Sequence, residues 1–482
     1  MKVAIVHYHL NPGGVTSVVE NTIAAWKTLG LDIEPVILTG RAYQIGDLEN
    51  VVEVPGLDYT ELLEQKLTAN ALLQNIETAV RSVLGSLPDV WHIHNHSLGK
   101  NAVFADVVNK LASRNDELLL QVHDFAEDGR PGNYNFLRQH ISRISHLYPS
   151  GPNVFYGLLN NRDYELMAKC GVPETHLCLL PNPVSLREKS ELDEKILDLP
   201  GDQFFLYPVR AVRRKNMGEL ALHASISEEG QVFANSLGPT NTRLLPIFDY
   251  WKNFVKTNNL PVHYGYSDGR DISFEQLVYS STSLISTSVA EGFGLAFLEP
   301  WLFGKSLTGR NLTDITKDFS NKGVDLSHLY KRLNIPIEWI GEFQVKGILN
   351  IALQKTFEAY NVELEEDTLD ETYNAFVQNG EIDFGLLDER LQESVIISVI
   401  NSPEKKNYLK SKQYLAFPGD AVVSANAEVI KTQYSLESYG NKLDDCYQKM
   451  LNHPSDSEEW KVSPEEILEA FLTPSFFNLL RT

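Results

Sequence analysis

The sequence predicts an α/β protein with two doubly wound, Rossmann-like parallel sheets, each in its own domain. Three observations carry that expectation. Short apolar runs alternate with helical-period segments from the first residues to about 310. A polar stretch at 183–202 interrupts the alternation, and a new apolar strand opens right after it. The length of 482 residues suits two or three domains.

Each element follows from its residues. Val3 to Val6 is a short apolar run fit for a buried parallel strand. A loop with Asn11, Pro12, Gly13 and Gly14 follows. Val15, Val18, Val19, Trp26 and Leu29 then recur at helical spacing, and Gly30 stands where that helix should end. Further strands are expected at 33–38, 89–94, 118–123, 153–156 and 177–180.

Pro183, Arg187-Glu188-Lys189-Ser190-Glu191 and Pro200-Gly201-Asp202 read as a polar linker. The second domain starts near 200, with strands at 204–209 and 283–286. Residues 320–430 read as a helical extension, with helices at 351–376 and 387–400 and a solvated cluster at Glu363, Glu365, Glu366 and Asp367. A further helix is expected at 434–451, broken by Pro454-Ser455-Asp456-Ser457-Glu458 before an apolar tail. The expected domains are 1–195, 200–430 with the extension at about 320–430, and 434–482. No internal repeat is present.

Composition excludes several classes. Charged residues are 22% and hydrophobic residues 43%, which excludes disorder for most of the chain. The 42 basic and 64 acidic residues give a net charge of −22. A surface that negative repels phosphate backbones and anionic lipid faces, so nucleic acid is not an expected partner. No apolar run reaches the roughly 18 residues of a membrane span, and the first residues are too short a run for a secretory signal. Cys170, Cys178 and Cys446 form no CxxC pair, and they are expected as reduced thiols in a cytoplasmic protein.

Two clusters carry the chemistry. Glu291-Gly292-Phe293-Gly294-Leu295-Ala296-Phe297-Leu298-Glu299 follows a strand and opens a helix. Its glycines let backbone approach a ligand, and a helix start offers free N–H groups to a phosphate. Glu299 would lie on that helix, where a carboxylate accepts from ribose hydroxyls. Arg210-Ala211-Val212-Arg213-Arg214-Lys215-Asn216 is the sharpest basic patch of an acidic chain, and Arg and Lys there suit a diphosphate.

Weaker features stand beside them. His92, His94 and His96 alternate, so a continuing strand points all three to one side. The expectation is a strand end entering a ligand cleft, with His94 near ligand, and no metal site. Asn160 reads as a helix start, with Arg162 and Lys169 as extra cations of the cleft.

On these residues the chain resembles the GT-B-fold glycosyltransferases, specifically the retaining family 4 group (glycosyl transferases group 1). The family's E-x7-E motif matches Glu291 to Glu299. Its Arg and Lys five apart match Arg210 and Lys215, and its glycine pair after the first strand matches Gly13 and Gly14. Its histidine at the end of a middle strand, usually followed by Asp, matches His123 and Asp124. Pro181 to Val184 resembles the end of the family's first domain. Tyr434-Ser435 with Glu437 resembles the helix that crosses back to it. The resemblance covers about 1–310 and 430–452. Two departures are the 320–430 extension and Pro300, which should cost a hydrogen bond or kink its helix.

The resemblance implies a GT-B fold whose two domains face a cleft, the first on the acceptor side and the second binding the nucleotide sugar. It implies a metal-independent, retaining hexosyltransferase. Arg210 and Lys215 would neutralise the leaving diphosphate, helped by N–H groups near Phe293, Gly294 and Leu295. Glu299 would bind the ribose and Glu291 would face the donor sugar. His123 would hydrogen-bond the sugar or the acceptor side, with Asp124 beside it, and Gly13 and Gly14 would let the first domain close on the donor. No cofactor is implied, because the nucleotide-diphosphate sugar is a substrate. The partners implied are that donor and a small-molecule or glycan acceptor, soluble on the charge argument. Oligomers would form through the helical extension. Two rival readings use the same scaffold: a glycoside phosphorylase that takes inorganic phosphate, and a catalytically silent subunit that activates a partner.

Overall fold

The structure is a computed structural model that describes residues 1–43, 46–184, 196–453 and 459–481. Residues 185–195 of the expected linker and the expected helix break at 454–458 lie outside the described residues. The chain divides into two compact units. The first comprises Met1–Pro183, Ala359–Val362 and Tyr434–Thr473, and the second comprises Val184–Glu358, Glu363–Gln433 and Pro474–Thr482.

The first unit holds a seven-stranded sheet. Its strands are β1 (Lys2–Val6), β2 (Glu34–Thr39), β3 (Val51–Glu53), β4 (Val90–His94), β5 (Leu118–Val122), β6 (Val154–Leu158) and β7 (Leu177–Leu179). Their order is β3-β2-β1-β4-β5-β6-β7, with every pairing parallel. Every residue of β4, β5 and β6 is buried, because helices cover both faces of such a sheet. Sequence order reverses between β1 and β4, and that switch point is where a doubly wound sheet opens a ligand site at its carboxyl edge.

The helices Gly14–Leu29 and Leu436–Leu451 pack together in this unit. Trp26, Tyr439, Leu443, Tyr447 and Met450 share one buried cluster with Val3 and Ile5 of β1. Thr22 Oγ1 and Tyr439 OH lie 3.0 Å apart inside it. Cys178 and Cys446, expected as reduced thiols, are joined as a disulfide. They are 268 residues apart, and only the packing of the Leu436–Leu451 helix beside β7 makes them neighbours.

The second unit holds a five-stranded sheet of β8 (Gln203–Arg210), β9 (Gln231–Leu237), β10 (Val262–His263), β11 (Ser283–Ser286) and β12 (Leu307–Gly309). The order is β10-β9-β8-β11-β12, again all parallel. Its switch point lies between β8 and β11, the two strands that precede the two chemical motifs. Helical segments Glu342–Tyr360, Thr368–Phe376, Glu389–Ile400, Pro403–Ser411 and Asp420–Gln433 fill the expected extension. The helix expected over 351–376 is two helices, because Asn361 turns left-handed (φ 55°) between them. The extension also carries a small antiparallel sheet of β13 (Asn334–Pro336), β14 (Val377–Gln378) and β15 (Glu381–Asp383), in the order β13-β15-β14. Among the described residues, no helix is long and apolar enough to cross a membrane.

Candidate functional site

In the second unit, the loops after β8 and β11 are stitched together at the switch point. Past β8 the chain makes one short turn at Arg213–Lys215, and Asn216 turns left-handed (φ 53°) into the Met217–Ser225 helix. Thr287, one residue beyond β11, donates its hydroxyl to the carbonyls of Lys215 (2.9 Å) and Asn216 (3.1 Å). Val289 N–H donates to Arg214 O at 2.9 Å. These bonds fix the backbone of both motifs relative to each other.

The side chains follow. Lys215 is buried and its Nζ donates to Glu291 Oε1. Ser288 Oγ donates to the same oxygen at 2.7 Å. An ammonium has three N–H donors, so this contact leaves two for a ligand. Burial pushes the Lys215 ammonium below its ordinary value, and Glu291 acts in the opposite sense. Burial raises the Glu299 carboxyl, while the charge of Lys215 lowers it. Lys215 thus bonds one glutamate of the motif and acts through its charge on the other. Arg210 is exposed, and its Nη1 donates to Gly238 O at 3.2 Å. Arg213 points elsewhere: it forms a two-pronged ion pair with Glu389 (2.7 and 2.8 Å) and donates to Leu479 O. The basic patch therefore splits, with Arg213 held by Glu389 and Lys215 by Glu291.

Between the glutamates, Phe293 is buried edge-on against Phe319. Gly294 has φ 96°, and a Cβ there would sit 3.0 Å from Ile315 Cγ2. Both facts demand glycine at that position. Leu295–Phe297 forms a short 3-10 turn that leads into the helix Glu299–Leu302. Pro300 does not kink this helix as expected. It stands in the first turn, where its missing N–H would have no partner anyway.

In the first unit, Gly13 and Gly14 open the Gly14–Leu29 helix, which no side chain caps. Gly14 faces open space, with nothing within 4 Å of where a Cβ would stand. His123 stands one residue beyond β5. Its N–H and that of Asp124 both donate to Asn95 Oδ1, at 2.7 and 3.2 Å. Asp124 is half-exposed and paired with Arg130 at 2.5 Å.

The three alternating histidines do not share one side. Asn95 takes a left-handed conformation (φ 54°) and ends β4 at His94. His96 is thereby turned away, with its Nε2 2.9 Å from Leu147 O. His92 and His94 do stack, their ring centroids 4.4 Å apart, and His94 Nδ1 lies 2.9 Å from His123 Nε2. His94 is fully buried behind His123. Burial lowers His92 to about 4 and His123 to about 3. These rings are neutral at physiological pH, so His123 is a hydrogen-bonding group and not a cation. Among the described residues, no group of three His, Cys, Asp or Glu side chains is arranged to hold a metal ion. Arg162, expected as a further cation, is bonded to Asp163 (2.8 Å), and Asn160 caps its helix as expected.

Sequence reasoning passed over Ser288 and Thr287. The only signal was a hydroxyl three residues before Glu291, which is too common to single out.

No family model matches the sequence. The chain is 25% identical to the mannosylglucosyl-3-phosphoglycerate synthase of Petrotoga mobilis, over 99% of this chain and 98% of that protein. Solved structures share the fold. The sucrose-phosphate synthase of Thermosynechococcus elongatus superposes with a TM-score of 0.51 at 14% identity, over 93% of this chain and 98% of that one. A glycosyltransferase from Rickettsia africae gives 0.52 at 12% identity (94% and 99%). The Anabaena protein HepE, solved in complex with UDP and glucose, gives 0.51 at 10% identity (93% and 99%). The chain is thus similar over nearly its whole length to that synthase, and it shares the GT-B fold of these solved structures.

Proposed function

We propose that the protein moves a hexosyl group from a nucleotide-diphosphate sugar to a hydroxyl of a phosphoglycerate-bearing glycoside, with retention at the anomeric carbon. The observation that carries the donor half is the Lys215–Glu291 pair at the switch point of the second sheet, with Glu299 half-buried and subject to the charge of the same ammonium. The acceptor half is supported by the name of the Petrotoga relative, whose product is a mannosylglucosyl phosphoglycerate.

In this reading the donor's diphosphate lies against Arg210 and the two free N–H donors of Lys215. N–H groups at Phe293, Gly294 and Leu295 hold the phosphates, and Glu299 takes the ribose hydroxyls. Glu291 faces the sugar and is oriented by Ser288. The first unit receives the acceptor, with His123 as a neutral hydrogen-bond partner and Gly13 and Gly14 allowing close approach. The acceptor oxygen forms its bond to the anomeric carbon on the face from which the C–O bond to the diphosphate breaks. The departing phosphate oxygen takes the hydroxyl proton. The cations stabilise the charge that develops on the leaving group, so no carboxylate acts as nucleophile and the Arg–Lys pair does the work of a divalent metal.

The experiment is a thermal-shift panel of UDP, GDP, ADP, their glucose and mannose conjugates, and inorganic phosphate, followed by turnover with glucosyl-3-phosphoglycerate. A selective rise with one nucleotide, and a product with the donor's anomeric configuration by NMR, is the expected result. A rise with phosphate alone would point to a phosphorylase. Silence with every ligand would point to a non-catalytic subunit.

A further inference from the structure

The loops that follow β1, β2, β3 and β4 bring His9, Arg41, Tyr59 and Lys100 together at the carboxyl edge of the first unit's sheet. Arg41 Cζ and Lys100 Nζ lie 5.5 and 5.1 Å from the centroid of the Tyr59 ring. His9 Nε2 and Tyr59 OH are 3.0 Å apart. All four side chains are partly exposed.

The platform beneath them is tightly built. Gly40 presses on the next loop so closely that a Cβ there would collide with the Asp58 backbone nitrogen. Asn101 is fully buried and donates from Nδ2 to the carbonyls of Gly56 (2.9 Å) and Asp58 (2.8 Å). Thr60 N–H donates to Lys100 O at 2.9 Å. Asp58 accepts from Tyr59 N–H on Oδ1 (2.6 Å) and from Arg41 Nε on Oδ2 (2.5 Å). These bonds lock three of the four loops to one another, so the cations sit on a rigid support.

The positive valence is incompletely used. Asp58 engages Arg41 through Nε, and the Nη1 and Nη2 groups make no hydrogen bond among the described residues. Lys100 Nζ has no ion-pair partner there either. By contrast, Arg213 grips Glu389 through two nitrogens, and Arg310 holds both Glu219 and Asp383. A guanidinium edge and an ammonium beside a phenolic hydroxyl match the oxygens of an oxyanion.

We propose that Arg41, Lys100 and the Tyr59 hydroxyl form a subsite for the phosphate or carboxylate of the acceptor. This rests on the glycosyl-transfer reading above and says which part of the acceptor the first unit grips. A net charge of −22 repels an anionic acceptor, and a local cationic subsite is what reverses that repulsion.

The test is calorimetric titration of 3-phosphoglycerate, glycerate and inorganic phosphate into the full chain and into R41Q, K100Q and the double variant. GDP and UDP are titrated into the same samples, and melting temperatures check folding. Each single change should weaken 3-phosphoglycerate about tenfold and the double change about a hundredfold, with nucleotide affinity unmoved. R41K, which keeps the charge, should recover part of the loss. Binding of phosphate without glycerate assigns the subsite to the phosphate, and the converse assigns it to the carboxylate. Unchanged affinity in the double variant overturns the proposal, as does a wild-type chain that binds nucleotide but no 3-phosphoglycerate. A chain that binds no nucleotide defeats the donor reading instead, and the dependence of 3-phosphoglycerate binding on Arg41 still judges the subsite.

Discussion

Lys215 and Glu291 stand 76 residues apart in the chain and are hydrogen-bonded across the switch point of the second sheet. Each sits in a loop that the other loop holds in place, through Thr287 and Val289. The pair thus joins two motifs into one arrangement in which a carboxylate is fixed and an ammonium keeps donors to spare.

Replacing Lys215 by Ala should lower kcat by about 10²–10³, the usual effect of removing one charge-stabilising donor. Glu291→Ala should cost a similar factor and also leave Lys215 buried without its carboxylate. Circular dichroism and single-turnover kinetics on both variants check this. Near-normal turnover in both would remove them from the chemistry.

Ser288→Ala tests orientation. The shortest contact of the hydroxyl is to Glu291 Oε1 (2.7 Å), with the carbonyls of Ala290 (3.1 Å) and Arg214 (3.4 Å) farther off. Losing it should slow turnover by about tenfold, the worth of one hydrogen bond to a charged group, with little change in melting temperature. A drop in melting temperature with unchanged kcat would make its role structural.

Gly294→Ala should destabilise the second unit by about 1–2 kcal/mol. The left-handed φ is costly for an L side chain, and the new methyl would crowd Ile315. Chemical denaturation reads this directly, and an unchanged midpoint would contradict the tight turn.

Glu127 offers a pH test within the first unit. It is buried, Tyr148 OH donates to its Oε2 at 3.0 Å, and burial pushes its carboxyl from 4.5 to about 7. The folded chain therefore keeps a proton that the unfolded chain releases. Its contribution to stability falls as pH rises from about 4.5 to about 7. Glu127→Gln should melt higher than wild type at pH 8 and about equally at pH 4. A higher melting point at both would show that charge is not the cause.

The disulfide predicts a redox dependence of stability. Cys446→Ser, or reductant added to wild type, should remove about 2–5 kcal/mol, because the bond closes a very long segment. Scanning calorimetry with and without reductant measures it, and identical curves would mean that the thiols are free.

Much of the fold was legible because parallel strands buried on both faces read as plain apolar runs, as in β1, β4 and β5. β10, β13, β14 and β15 are two or three residues long, too short to show any periodicity. The motif spacing named Lys215, Glu291 and Glu299, since their order along the chain matches a family pattern. It did not name Ser288 or Asp58, whose roles arise only from what the loops bring near them. His96 was misplaced because alternation assumes that a strand continues, and one left-handed asparagine ended it. The Cys178–Cys446 bond was invisible for the same reason at longer range: nothing local links residues 268 positions apart.

That the Leu436–Leu451 helix completes the core behind Val3, Ile5 and Trp26 bears on how the chain is made. A ribosome releases the first 183 residues long before residue 436 exists. The early strands must wait, with part of their apolar face uncovered, while the whole of the second sheet is synthesised. The first unit is thus begun before the second sheet and completed after it, and the interval between is when the nascent chain most needs protection from aggregation.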